Sequence, residues 1–99
     1  MATKTLSILS VKNIQFTRVL KSEGILREFN FRKGMIEGRI VFHVDVTDDR
    51  GNRIMFSMEK RDANWKIQSR ELLPSWVTRA EADLHALVEE EYVEQRFAK

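Results

Sequence analysis

Arg39–Lys60, RIVFHVDVTDDRGNRIMFSMEK, decides how the rest of the chain is read. Its middle, Asp45–Asn52, packs three aspartates and a glycine into eight residues, the density of a calcium loop. A loop of the EF-hand type wants oxygen ligands at positions 1, 3 and 5, glycine at 6 and glutamate at 12. With Asp45 at position 1, position 6 is Arg50 and position 12 is Phe56, so the match fails where the chemistry is strictest. A hairpin accounts for the same residues. Ile40, Phe42, Val44 and Val46 share one face of a strand, and Ile54, Phe56 and Met58 share one face of the next. Matching those faces sets Val46 opposite Ile54, Val44 opposite Phe56 and Phe42 opposite Met58, because a slip of one residue would bury the polar side. Asp49-Arg50-Gly51 is then a three-residue loop with glycine at the left-handed position.

Outward from this hairpin the same period of two recurs. Strands are expected over Ile14–Leu20, Ile25–Arg32, Arg39–Thr47 and Arg53–Lys60, with a short fifth over Trp65–Gln68 after the turn Arg61–Asn64. β-Branched and aromatic residues dominate all of them. Residues 1–12, which include TLSILSV, read either as an edge strand or as a loose end. Pro74, the only proline, marks a change of period from two to about 3.6. Thr78 and Glu81 have capping-box spacing, and Ala80, Leu84, Leu87, Val88 and Tyr92 make one apolar stripe, so a helix is expected over about Arg79–Arg96. Its length of about 27 Å matches an eight-residue strand of about 26 Å. The expected fold is α+β: a single antiparallel meander sheet of four to five strands packed against one C-terminal helix. One domain is expected over 1–99, with sheet in 13–69 and helical segment in 74–97.

Composition narrows the function. The chain is 42% hydrophobic and 32% charged, the balance of an ordinary soluble globular protein. It holds no cysteine, which removes disulfides, thiolate nucleophiles and cysteine-based metal sites. The N-terminus shows no apolar signal region and no stretch is long enough to span a bilayer, so a cytoplasmic protein without membrane contact is expected. Residues 1–70 carry 14 Lys/Arg against 8 Asp/Glu, while residues 71–99 carry 3 against 7. A basic sheet attracts polyanions, but a basic sheet and an acidic helix also complement each other.

Several residues are candidates for chemistry. His43, Asp45 and Ser57 share the outer face of the central hairpin and have the residue types of a nucleophilic triad. No strained nucleophile turn or oxyanion hole accompanies them, so a surface histidine among polar neighbours explains them better. His85 stands alone on the helix, without metal-ligand spacing. No catalytic residue, metal ligand or cofactor is therefore assigned. In the first hairpin a turn at Lys21–Gly24 puts Leu20 opposite Ile25, Phe16 opposite Phe29 and Arg18 opposite Arg27 on a mostly apolar face. Facing arginines need an anion between them or separate partners. The pair is either an anion or phosphate pocket or is neutralised by a helix carboxylate, Glu81, Glu89 or Glu91. Arg32, Arg39 and Arg53 on the outer face are the candidate nucleic-acid contacts. Phe16, Phe29, Phe31, Phe42 and Phe56 all fall on inner faces, away from any base-stacking role.

The leading expectation is a small non-catalytic binding or interaction module for a protein partner or a second copy, with apolar Val41 and Met55 on its outer face. Nucleic-acid binding through the basic outer face is the alternative, and a small-anion site at Arg18 and Arg27 the third.

Overall fold

The computed structural model describes residues 14–97, with side chains as far as Tyr92. The expectation for residues 1–12 lies outside the described residues. Five strands form one antiparallel sheet in chain order: β1 (Gln15–Ser22), β2 (Ile25–Ile36), β3 (Arg39–Thr47), β4 (Arg53–Arg61) and β5 (Asn64–Gln68). The sheet curls into a half-barrel. A one-turn helix α1 (Ser75–Thr78) and a long helix α2 (Glu81–Phe97) follow. The α+β meander read from the sequence is the fold observed.

The central hairpin has the expected register, with Val46 opposite Ile54, Val44 opposite Phe56 and Phe42 opposite Met58. The Gly51 N–H donates to Asp48 O at 3.0 Å, Asp48 N–H donates to Asn52 O at 2.9 Å, and Gly51 has φ 86°, so the loop is the three-residue form that needs glycine. The Asp48 carboxylate accepts the N–H groups of Arg50 (2.9 Å) and Asn52 (2.8 Å). The Asn52 bond is the main reason its carboxyl titrates below the ordinary value. Asp48 thus acts as a backbone brace inside a turn.

Two hairpins differ from expectation. The β1–β2 connection is the two-residue turn Glu23-Gly24, with φ 51° and 84°, rather than the four-residue Lys21–Gly24. Two positive φ values give a turn whose twist matches that of the strands. The register moves by two residues, which keeps every side chain on its face. It sets Leu20 opposite Arg27, Arg18 opposite Phe29 and Phe16 opposite Phe31. The Phe16 and Phe31 rings stack at 4.5 Å. β2 also runs four residues past Arg32, to Ile36, and turns back at Glu37-Gly38 with φ 49° and 76°. Gly34 weakens a strand by propensity, but the His43 side chain of β3 lies over it. A Cβ on Gly34 would stand 2.6 Å from His43 Nε2.

The core lies between the inner face of the sheet and α2. Phe29, Phe42, Met58, Val77, Leu84 and Val88 have no exposed surface, and Leu87 and Tyr92 pack beside them. The helical stripe is as expected, but the capping box is not formed. Thr78 Oγ1 donates to Ser75 O at 3.1 Å, and Glu81 turns to the sheet, where its Oε2 accepts the Ile67 N–H at 2.8 Å. His85 Nδ1 accepts the Trp65 N–H at 3.0 Å, and the Trp65 indole donates to Glu89 at 2.8 Å. The outward N–H groups of β5 are thereby closed by helix side chains, which disposes of one exposed sheet edge.

Candidate interaction surface

Because α2 occupies the inner face, the outer face of the sheet is the one left facing solvent. The registers build it from two rows. The first runs Gln15, Arg32, His43, Ser57, Gln68 across all five strands and is polar throughout. The second runs Thr17, Asn30, Asp45, Met55 across β1 to β4. The second row is wired together: Thr17 Oγ1 donates to Asn30 Oδ1 at 2.7 Å, and Asn30 Nδ2 donates to Asp45 Oδ1 at 3.0 Å. Arg53 Nε lies 3.9 Å from the same Asp45 oxygen. Between the rows, on β1 to β3, an open depression of about 340 Å³ is lined by Gln15, Thr17, Asn30, Arg32 and Asp45, together with Phe16 and Phe31. Arg32 makes no ion pair among the described residues.

The apolar content of this face differs in part from expectation. Met55 is 66% exposed, but Val41 is 1% exposed. Its Cγ2 comes within 3.7 Å of the position a Gly34 Cβ would take, so Val41 packs into the gap the glycine leaves. Val19 and Leu26 are exposed instead, near the β1–β2 turn. His43 and Ser57 are cross-strand partners as expected. Among the described residues no hydrogen bond joins His43 to Ser57 or to Asp45, and no group of three or more acids and histidines is placed to hold a metal ion.

The three outer arginines do not converge. Arg39 Nη1 lies 3.8 Å from Glu59, and Arg53 is held toward Asp45. Arg53 stands opposite Thr47, eight steps along β3 from Arg39, which places them roughly 26 Å apart. Every aromatic side chain among the described residues belongs to the core or packs against it.

The two inner arginines share a face without facing each other. Arg18 reaches up to α2, with Nη2 2.7 Å from Glu91 Oε2 and Nη1 3.3 Å from Glu90 Oε1. The Glu91 hydrogen bond raises its pKa further, against the opposing effect of burial. Arg27 goes elsewhere. Its guanidinium carbon sits 3.7 Å from the centre of the Trp76 ring on α1, and Nη1 lies 3.1 Å from Asp49 Oδ1 in the β3–β4 loop. Glu89 of the acidic run pairs with Lys60 at 2.9 Å, and that bond, ahead of the one from Trp65, holds its carboxyl below the ordinary value.

The continuous polar row was not visible in the sequence, since it depends on the β2–β3 register, which runs through Gly34. The signal that would have found it is the pair Glu37-Gly38, a two-residue turn between two strand patterns.

No family model, no curated protein and no solved structure matches this chain. Among the described residues no helix is long and apolar enough to cross a membrane.

Proposed function

We propose that the protein is a small non-catalytic interaction module that meets a protein partner, or a second copy of itself, with the outer face of its sheet. One observation carries this reading: the inner face is consumed by α2, while the outer face keeps an all-polar row beside exposed Val19, Leu26 and Met55. Polar groups interleaved with single apolar side chains are the usual make-up of a non-obligate interface. A cytoplasmic setting belongs to the same proposal and rests on the sequence, which does without disulfides.

Nucleic acid is the alternative occupant. It would need Arg32, Arg39 and Arg53 to act together, yet Arg39 and Arg53 already lean on carboxylates and stand at opposite ends of the β3–β4 hairpin. Among the described residues the face also lacks the aromatic platform on which single strands stack.

The test is site-specific photocrosslinking in cells, with the reactive group at Val19 or Met55 on the outer face and, as control, at exposed Leu72. A discrete protein adduct or a crosslinked dimer from the outer positions alone is expected. Nucleic-acid adducts from those positions would transfer the surface to the alternative. Equal labelling from Leu72, or none from the outer positions, would refute the proposal.

A further inference from the structure

Among the described residues Arg27 is the buried charge left with an unpartnered donor. It is 8% exposed, and its Nε is buried without a hydrogen-bond partner. A guanidinium carries five donors, and burial of a charge is tolerated only when it is paired and hydrogen-bonded. Arg27 has one carboxylate beside it, Asp49, whose side chain is 71% exposed. The approach of 3.1 Å is an ion pair, and no side-chain hydrogen bond of good geometry accompanies it. Arg18, by contrast, has two hydrogen-bonded carboxylates.

The guanidinium is nonetheless held firmly. One side lies against Trp76, whose carbonyl accepts the buried Ser22 hydroxyl at 2.6 Å, and Arg27 itself is anchored in β2 opposite Leu20. Asp49 is the movable partner. In its loop Asp48 does the structural bonding to Arg50 and Asn52, and the Asp49 carboxylate has Arg27 as its only ion-pair partner among the described residues. The Asp49 side chain itself is 71% exposed and Asp48 makes the bonds that hold the loop, so Asp49 can swing into water without disturbing the loop, provided another carboxylate takes its place beside the buried guanidinium.

We infer that Arg27 is a carboxylate-binding site, stacked and preorganised on Trp76, in which Asp49 is a built-in stand-in that an external carboxylate displaces. Arginine binds carboxylates through two parallel N–H···O bonds, and the end of the sheet where β1–β2, the β3–β4 loop and α1 meet is where such a group would enter. The site is separate from the outer face and does not depend on the function proposed for it.

The experiment follows the Arg27 Nε–H and Trp76 indole signals by NMR while sodium acetate is added to the full chain at constant ionic strength, balanced with chloride. It is done on the native protein and on Asp49→Asn, a loop variant that keeps the Asp48 brace. Saturable movement of the Arg27 signal, about fivefold tighter in Asp49→Asn because the competing carboxylate is gone, is expected. Arg27→Gln, checked for folding by circular dichroism, should abolish the response of Trp76. An Arg27 signal that stays still in Asp49→Asn, or that drifts linearly and equally with chloride, overturns the inference. Saturation by inorganic phosphate alone, with acetate silent, overturns the carboxylate assignment.

Discussion

Placing alanine at position 34 tests how the outer face is packed. Gly34 does not have a left-handed φ, so its backbone accepts a side chain. At such a site Gly→Ala stabilises by about 0.4–1 kcal/mol, because the unfolded chain loses freedom. Here the new Cβ would stand 2.6 Å from Nε2 and 2.8 Å from Cδ2 of His43, so the ring has to move. The backbone stays where it is, since the obstructing atoms are the far end of a side chain. Driving a side chain off its rotamer costs about 0.5–1.5 kcal/mol. In the native background the two terms oppose each other, and Gly34→Ala should fall between about 0.5 kcal/mol stabilising and about 1 kcal/mol destabilising. In a His43→Ala background only the gain remains, and the same substitution should stabilise by about 0.4–1 kcal/mol. The coupling of about 1 kcal/mol is measurable as a double-mutant cycle by urea unfolding, read from Trp65 and Trp76 fluorescence. Equal effects of Gly34→Ala in both backgrounds would show that His43 does not fill the space over the glycine, and the account of β2 would fail with it.

Three further outcomes follow from the contacts described. Glu81→Ala should remove the acceptor of the Ile67 N–H, cost about 1–2 kcal/mol and speed hydrogen exchange at that amide, with His85→Ala doing the same at Trp65; unchanged protection would mean the β5 edge is closed by other groups. Phe42→Ala empties a fully buried site facing the rings of Phe16, Trp65 and Tyr92, and should cost about 3–5 kcal/mol, read as a large fall in the denaturation midpoint. Asp48 and Glu89 titrate below their ordinary values of 3.8 and 4.5, so their contribution is present above those values and lost as pH falls through the lower folded values; Glu89→Gln should flatten the acid limb of a stability-versus-pH curve, and a limb of unchanged slope counts against the Lys60 and Trp65 bonds.

The sheet was legible wherever local chemistry determined geometry. Gly51 has to take a left-handed conformation, and the apolar faces on either side of it admit one register, so the β3–β4 hairpin followed from its residues. The first hairpin was less determinate. Leu20 opposite Ile25 and Leu20 opposite Arg27 both keep the faces intact, and the choice rests on whether the turn uses four residues or two. The end of β2 was hidden because Gly34 looks like a break until His43 is placed over it. The capping box failed for a related reason: Glu81 has the right spacing for Thr78, but a strand edge with an unpaired N–H competes for it, and that edge comes near only in three dimensions. The outer polar row inherits these uncertainties, since it exists only when all four registers are known.

Arg18 and Arg27 are alike in the sequence, each an arginine on an apolar strand face of the same hairpin. What separates them is the element above. Arg18 lies under α2 and meets Glu90 and Glu91, while Arg27 lies beyond it, under a one-turn helix that offers an indole and a loop that offers one mobile carboxylate. The same logic explains the split in charge along the chain. Glu81, Glu89, Glu90 and Glu91 all turn to the sheet, against Lys66, Lys60 and Arg18. Much of the acidic surplus of the last 29 residues is therefore spent on the basic residues that precede it. The net charge of +2 does not measure a polyanion-seeking surface. On the interaction proposed for this domain, recognition would therefore rest on particular groups, Arg32 without an ion pair on the outer face and Arg27 with its one exposed carboxylate at the end of the sheet, rather than on the overall field.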